Sequence, residues 1–246
     1  MYMIMCMCER IKPRLRGRDT AAGVSQVTGR RVNPAVMASN YKVTIGGRGA
    51  PAQPQAKAFE LFSTRIWQAR LADLAARFPG WVSACAALRV ASPVPAGRTN
   101  RGGWNSVDNA VLEQAAFAPL REAVRGYCAQ AFREMGLADP PFVLQSWINI
   151  HDRGGFNFQH MHDGALLSGT FYLQVPPGAG ALVLRDPRPG VLGGFAKGSG
   201  ANAYKDVQLR PEAGLLVLFP HWLEHYVEPH EGDIPRIAIP FNALRP

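Results

Sequence analysis

The chain is short of charge, short of cysteine and, until residue 151, devoid of histidine. Only 18% of its 246 residues are charged against 47% hydrophobic, which excludes disorder of the whole chain and leaves material for one large domain or two small ones with a sizeable core. No run approaches the roughly 18 consecutive apolar residues of a membrane-spanning helix, so a membrane is not an expected partner. Four cysteines (Cys6, Cys8, Cys85 and Cys128) are too few and too scattered for the disulfide framework of a small secreted domain. A reducing cytoplasm is the expected location. The opening MYMIMCMCERIK sets its apolar residues ahead of its positive charges, the reverse of a signal peptide, and no small-residue cleavage site follows. There is no internal repeat.

Acidic residues are scarce only in one place. Residues 1–57 hold ten Lys and Arg against Glu9 and Asp19, while the other 189 residues carry 17 bases and 16 acids. The net charge of +9 therefore belongs to the start of the chain, and the nearly neutral remainder has no basic footprint for nucleic acid. Residues 1–57 read as a disordered basic arm and linker, or as a start upstream of the true initiator with Met37 as the alternative. Aromatics are not interleaved with the arm's charge, which argues against a nucleic-acid role. Two thiols without partners, Cys6 and Cys8, are poor evidence for a soft metal.

GGRGAPAQPQ (Gly46 to Gln55) reads as a linker, and the single domain is placed at 58–246. FELFSTRIW (Phe59 to Trp67) is expected as a short strand. QARLADLAARFPGW has Leu71, Leu74, Ala75 and Phe78 at helical spacing, with Pro79-Gly80 as its stop. The Gly/Asn-rich GRTNRGGWNS (Gly97 to Ser106) precedes a second helix expected over Val111 to Met135, closed by Gly136. From Pro140 onward, short runs of Val, Ile, Phe, Tyr and Leu alternate with Gly/Pro turns. Eight strands are expected: Phe142 to His151, Phe158 to His162, Leu166 to Val175, Ala181 to Asp186, Val207 to Arg210, Gly214 to Pro220, His225 to Pro229 and Arg236 to Asn242. Eight short strands behind two helices predict a mainly β, α+β chain: a double-stranded β-helix, or jelly roll, buttressed by the helices.

All six histidines (His151, His160, His162, His221, His225 and His230) lie in this β-half. A strand histidine must find partners for both ring nitrogens; a metal ion satisfies one and a hydrogen-bond acceptor the other. In an extended segment His160 and His162 project from one face, close enough to chelate one ion, while Asp163 points away. His225, just after an apolar strand, is the best remote third ligand. Such a set suits Fe(II) or Zn(II). His151, His221 and His230 read as neighbours of the site or as surface and loop residues. Arg236 opens the apolar run RIAIPFN; were the turn Glu231 to Asp233 to fold that run against the His225 strand, its guanidinium would lie near the metal and fork onto a carboxylate.

SWINI (Ser146 to Ile150), FNFQHMHDGALLSGTFYLQVPPGAGALVLRDPR (Phe156 to Arg188), LFPHWLEHYVEP (Leu218 to Pro229), RIAIPFN and GGWNS (Gly102 to Ser106) together resemble the iron(II)/2-oxoglutarate-dependent oxygenases of the bacterial and phage type. The resemblance spans roughly Phe59 to Leu244. It implies a double-stranded β-helix in which His160, His162 and His225 hold Fe(II) and Arg236 grips the distal carboxylate of the co-substrate 2-oxoglutarate. It further implies Tyr172 as a hydroxyl partner of that carboxylate and Asn149 as a residue facing the cofactor. The implied activity is oxidation of a substrate with release of succinate and CO2. Trp147, Phe171 and Trp222 are candidate pocket walls, although ordinary core packing is the commoner role for such residues.

Two positions depart from the wider superfamily. Where it usually has a carboxylate ligand this chain has His162, and where a hydroxyl commonly follows the arginine by two residues this chain has Ala238. A neutral third ligand leaves one more positive charge on the metal and admits Zn(II). A cupin-like metalloenzyme or Zn-binding jelly-roll protein is therefore the alternative reading; against it, the acidic ligand that cupins place shortly after His-x-His is replaced by Ala165 and Leu166. A non-enzymatic jelly-roll binding module with structural histidines is a third.

Overall fold

The computed structural model describes residues 61–188 and 205–246, all within the unit Phe59–Pro246. The expected arm and linker, and most of the glycine-rich loop between Arg188 and Asp206, lie outside the described residues. Strand β1 (Trp67–Arg70) leads through a 3-10 segment (Ala72–Arg77) into helix α1 (Phe78–Ala91), then come β2 (Asn100–Asn105), two further 3-10 turns and helix α2 (Ala118–Glu134). Eight strands follow: β3 (Val143–Ser146), β4 (Asn149–His160), β5 (Ala165–Gln174), β6 (Leu182–Arg185), β7 (Asp206–Leu209), β8 (Leu215–Phe219), β9 (His225–Val227) and β10 (Arg236–Leu244). The strands run antiparallel in the order β1-β8-β5-β10-β4-β9-β6-β7, with β2 added to β4 and β3 to β10.

The sheet sorts side chains by the period of two along each strand. In β10, Ile237, Ile239, Phe241 and Ala243 enter the large core beneath the helices, as do Phe171 and Leu173 of β5 and Leu216 and Leu218 of β8. From the helices that core receives Trp81 and Cys85 of α1 and Leu120, Val124, Cys128, Ala131 and Phe132 of α2. The intervening residues form a second, smaller cluster on the opposite face, with Tyr172, Val217, Phe219 and Ala238 joined by Leu182, Leu184, Leu223 and Val227. Each large aliphatic or phenylalanine side chain on the helix side contributes about 1.5–3 kcal/mol of burial. The other face is left free to build a cavity.

Several sequence expectations need correction. Of the expected first strand, the described residues before Trp67 are not in a strand; β1 begins at Trp67, where its backbone finds β8 as a partner. Pro79-Gly80 does not stop a helix; Pro79 stands in the first turn of α1, where its missing N–H costs nothing, and the helix runs on to Ala91. The periodic stretch from Val111 begins as 3-10 turns, and the α-helix starts at Ala118, with Pro119 in its first turn. Gly136 has φ +76°, consistent with its closing role. Phe142 to His151 divides into two strands around Trp147, and β4 runs on to His160. The Gly/Asn-rich segment contains β2, which adding itself to β4 accounts for.

Candidate metal centre

Pairing of β4 with β9 makes His160 and His225 direct cross-strand partners. This register bridges the long sequence gap between them. His162 stands just past the end of β4, where its backbone N–H donates to the His221 carbonyl at 3.0 Å. The three rings converge: centroids are 4.3 Å apart for His160–His225 and 5.1 Å for each of the other two pairs. One potential ligand nitrogen from each lies within 4.8 Å of the other two.

Each ring has its Nδ1 committed to an oxygen acceptor. His160 Nδ1 donates to the Phe158 carbonyl at 2.6 Å, His225 Nδ1 to the Leu223 carbonyl at 2.8 Å, and His162 Nδ1 to Asn242 Oδ1 at 2.6 Å. With those protons on Nδ1, every Nε2 keeps its lone pair, the form a metal requires. His162 Nε2 is buried without a hydrogen-bond partner. Burial lowers the pKa of His160, pushes His162 down to about 4, and pushes His225 down to about 3, the last two reinforced by their imidazole neighbours. Three neutral imidazoles aimed at one point can hold a first-row divalent ion.

A cavity of about 50 Å³ opens over the triad, and residues of six strands line it. Arg236, 3% exposed, reaches it from β10. Its guanidinium forms no ion pair among the described residues; Nη1 donates to His151 Nδ1 at 2.9 Å, Nε has no partner, and the Tyr172 ring lies 5.2 Å from the guanidinium carbon. The Tyr172 hydroxyl and Asn149 Oδ1 are likewise buried without partners, and both residues line the same cavity. Burial raises the Tyr172 pKa against the opposing pull of Arg236, so the hydroxyl stays protonated and able to donate. Unpaired polar groups inside a protein are costly, and four of them around one void mark a place for a polar ligand.

The structure therefore gathers His160, His162, His225, Arg236, Tyr172 and Asn149 around a single cavity. The route differs from the sequence expectation: β10 does not fold back on the His225 strand but pairs with β3, β4 and β5, and Arg236 is the register partner of His151. Asp163 is exposed and outside the triad. Trp147 lines the cavity and stacks on His162 at 5.8 Å, whereas Phe171 belongs to the helix-covered core and Trp222 is 42% exposed. Sequence reasoning missed Asn242, the acceptor for His162, and left His151 unassigned. Alternation along RIAIPFNAL, with Arg236, Ala238, Pro240 and Asn242 on one face, is the signal that points to Asn242.

A curved antiparallel sheet thus holds, in one cavity, an imidazole triad that could bind a metal ion and a buried arginine without an acidic partner among the described residues. Residues 145–242 match the family described as putative 2OG-Fe(II) oxygenase. Among solved structures it is similar to a prolyl-4-hydroxylase of Pseudomonas putida, at 18% identity over 75% of this chain and 94% of that one, with a TM-score of 0.54. The carbocyclase SnoK of nogalamycin biosynthesis is similar at 15% identity over 74% and 80%, with a TM-score of 0.55. HygX of Streptomyces hygroscopicus, solved with nickel, 2-oxoglutarate and hygromycin B bound, is similar at 13% identity over 74% and 83%, with a TM-score of 0.51. At these identities the likeness is one of fold. No curated protein matches. The family match favours the oxygenase over the cupin-like and binding-module readings. No helix among the described residues is long and apolar enough to cross a membrane.

Proposed function

We propose that this protein is an Fe(II)- and 2-oxoglutarate-dependent dioxygenase that oxidises a substrate C–H bond, with release of succinate and CO2. The observation that carries this reading is Arg236, a buried cation with no acidic partner among the described residues, facing the same cavity as three neutral imidazoles. A guanidinium removed from water needs an anion, and the side-on fork formed by Nε and Nη2 matches a carboxylate. In this reading His160, His162 and His225 hold the iron through Nε2, and Arg236 holds the distal carboxylate, with Tyr172 and Asn149 supplying further polar contacts. When bound, iron and 2-oxoglutarate together supply the oxidising power. The chain's own residues bind and orient: the Nδ1 bonds fix the ring planes of the triad, and Trp147, Phe219 and Leu182 exclude water from the cavity walls. The family match and the nickel and 2-oxoglutarate in HygX support the same assignment.

Anaerobic titration of the Fe(II)-loaded protein with 2-oxoglutarate tests it. A visible metal-to-ligand charge-transfer band is expected, together with slow, iron-dependent conversion of 2-oxoglutarate to succinate that disappears in His225→Ala and Arg236→Ala. Stoichiometric zinc in protein purified without added metal, combined with no affinity for 2-oxoglutarate, would sink the reading.

A further inference from the structure

We propose that His151 is a positioning residue for the 2-oxoglutarate site: a neutral acceptor that orients the Arg236 guanidinium without cancelling its charge. The inference rests on the cofactor reading above and concerns how this chain solves a problem that its own sequence creates. Position 238, next to Arg236 on the cavity face, carries a methyl group, so no hydroxyl on β10 shares a distal carboxylate with the Arg236 fork and the aim of that fork matters more.

His151 is fully buried in β4 and is the register partner of Arg236 in β10. Because a guanidinium only donates, the 2.9 Å contact between Arg236 Nη1 and His151 Nδ1 makes Nδ1 the acceptor and leaves the ring proton on Nε2. Holding Nη1 fixes the plane of the guanidinium. On the opposite edge Nε is buried without a hydrogen-bond partner, and this edge, Nε with Nη2, is the one that meets a carboxylate with two parallel bonds. Burial, aided by the positive charge of Arg236, pushes the His151 pKa down to about 3, so the accepting lone pair persists throughout the physiological range.

The ring has a purpose-shaped housing. Gly103 of β2 is its register partner on the other side, and a Cβ there would come within 2.9 Å of His151 Cδ2 and 2.5 Å of the Ile150 carbonyl. A Cβ on Gly155 would meet His151 Cβ at 3.0 Å and the Gly102 carbonyl at 2.8 Å. Gly103 thus closes on the imidazole and Gly155 on the Cβ that carries it, which leaves the side chain little room to turn. An aspartate in place of His151 would be the simpler partner for a buried arginine, but it would satisfy the charge that is meant to attract the ligand. A neutral acceptor leaves that charge available.

The test compares 2-oxoglutarate binding to the Fe(II)-loaded wild type, His151→Leu, His151→Asp and His151→Asn by anaerobic titration, with the dissociation constant as readout. Leu removes the acceptor, Asp cancels the charge, and Asn keeps an acceptor at the Nδ1 position. Expected are weakening of about tenfold or more for Leu and Asp and of no more than about threefold for Asn. Pyruvate, which chelates through the same 1-carboxylate and keto group but lacks the distal carboxylate, should bind all four proteins alike, which separates aim of the arginine from general damage to the site. If Leu folds poorly, the near-isosteric pair Asp and Asn, which differ in charge but not in size, carries the comparison. Equal affinity of wild type and Leu, or an Asp variant as tight as wild type, would overturn the role of His151. A wild type that binds no 2-oxoglutarate would instead overturn the cofactor reading itself.

Discussion

His162 and Asn242, eighty positions apart, meet at 2.6 Å between Nδ1 and Oδ1. The same Oδ1 accepts the Ser168 hydroxyl at 2.8 Å, and the Asn242 nitrogen donates to Gln145 Oε1 at 3.2 Å, so the carboxamide is held from both ends with its oxygen toward the imidazole. Unlike the carbonyl acceptors of His160 and His225, this one is a side chain and can be removed without touching the backbone. Partners of this kind are worth about 10–100-fold in metal affinity. Asn242→Leu is therefore expected to weaken metal binding by that factor in a competitive chelator titration, while Asn242→Asp, which keeps an oxygen acceptor, should retain it. Unchanged affinity in the Leu variant would show that Trp147 stacking alone holds the ring.

The metal-free protein should be acid-sensitive. An unfolded histidine titrates near 6.5, whereas burial holds both His151 and His225 at about 3 in the folded protein. Between those values the unfolded chain carries protons that the folded one refuses, so stability falls as pH falls. His162, held at about 4, adds to them, and for the three together acidification from pH 7 to pH 5 is expected to cost about 6 kcal/mol. Urea denaturation with chelator present at the two pH values measures the loss, and His151→Asn should remove about a third of it, roughly 2 kcal/mol. A flat profile would mean that water reaches these rings.

Much of the site was legible because its signals are local. His160 and His162 are two residues apart, and their convergence needs only an extended segment. Arg236 in an apolar run is conspicuous for its charge. The pairing of β4 with β9, which makes His160 and His225 neighbours, is a long-range register set by the whole sheet, and no feature of HYVEP states it. The expected placement of Arg236 against the His225 strand failed for the same reason: both β-strands flank β4, and sequence order does not say on which side each lies. Pro79-Gly80 was misread because proline serves both ends of helices, and what decided between them was the packing of Trp81 and Cys85 into the core. Strand β2 was hidden by its glycines, whose reason is the His151 ring lying against Gly103.

Ala238 offers a gain-of-function test of the carboxylate site. It is buried on the cavity face, two residues from Arg236 and opposite Tyr172 in the β10–β5 register. A serine hydroxyl there adds one donor in a place already shielded from water, worth about 0.5–1.5 kcal/mol net. Ala238→Ser is expected to tighten 2-oxoglutarate binding by roughly 2–10-fold and to leave pyruvate binding unchanged. Equal tightening of both acids would place the new hydroxyl near the metal rather than near the arginine.

Gly169 tests the packing that holds the cavity walls to the helices. It lies in β5 between β8 and β10, paired with Leu218 on one side and Phe241 on the other. A Cβ at this position would run into the Phe241 ring and the Val217 carbonyl. The carbonyl belongs to the sheet ladder and cannot retreat, so the ring or the strand must move. Overpacking of this kind typically costs about 1–3 kcal/mol, which for a domain of this size lowers Tm by roughly 2–12 °C. Gly169→Ala should show that loss in thermal denaturation. Shortening the ring's reach with Phe241→Leu should cost stability alone but recover part of the loss in the double variant, because both substitutions act on one contact. Strict additivity would assign the strain to the Val217 carbonyl and make the backbone spacing of β5 and β8, not the aromatic ring, the reason this strand requires glycine.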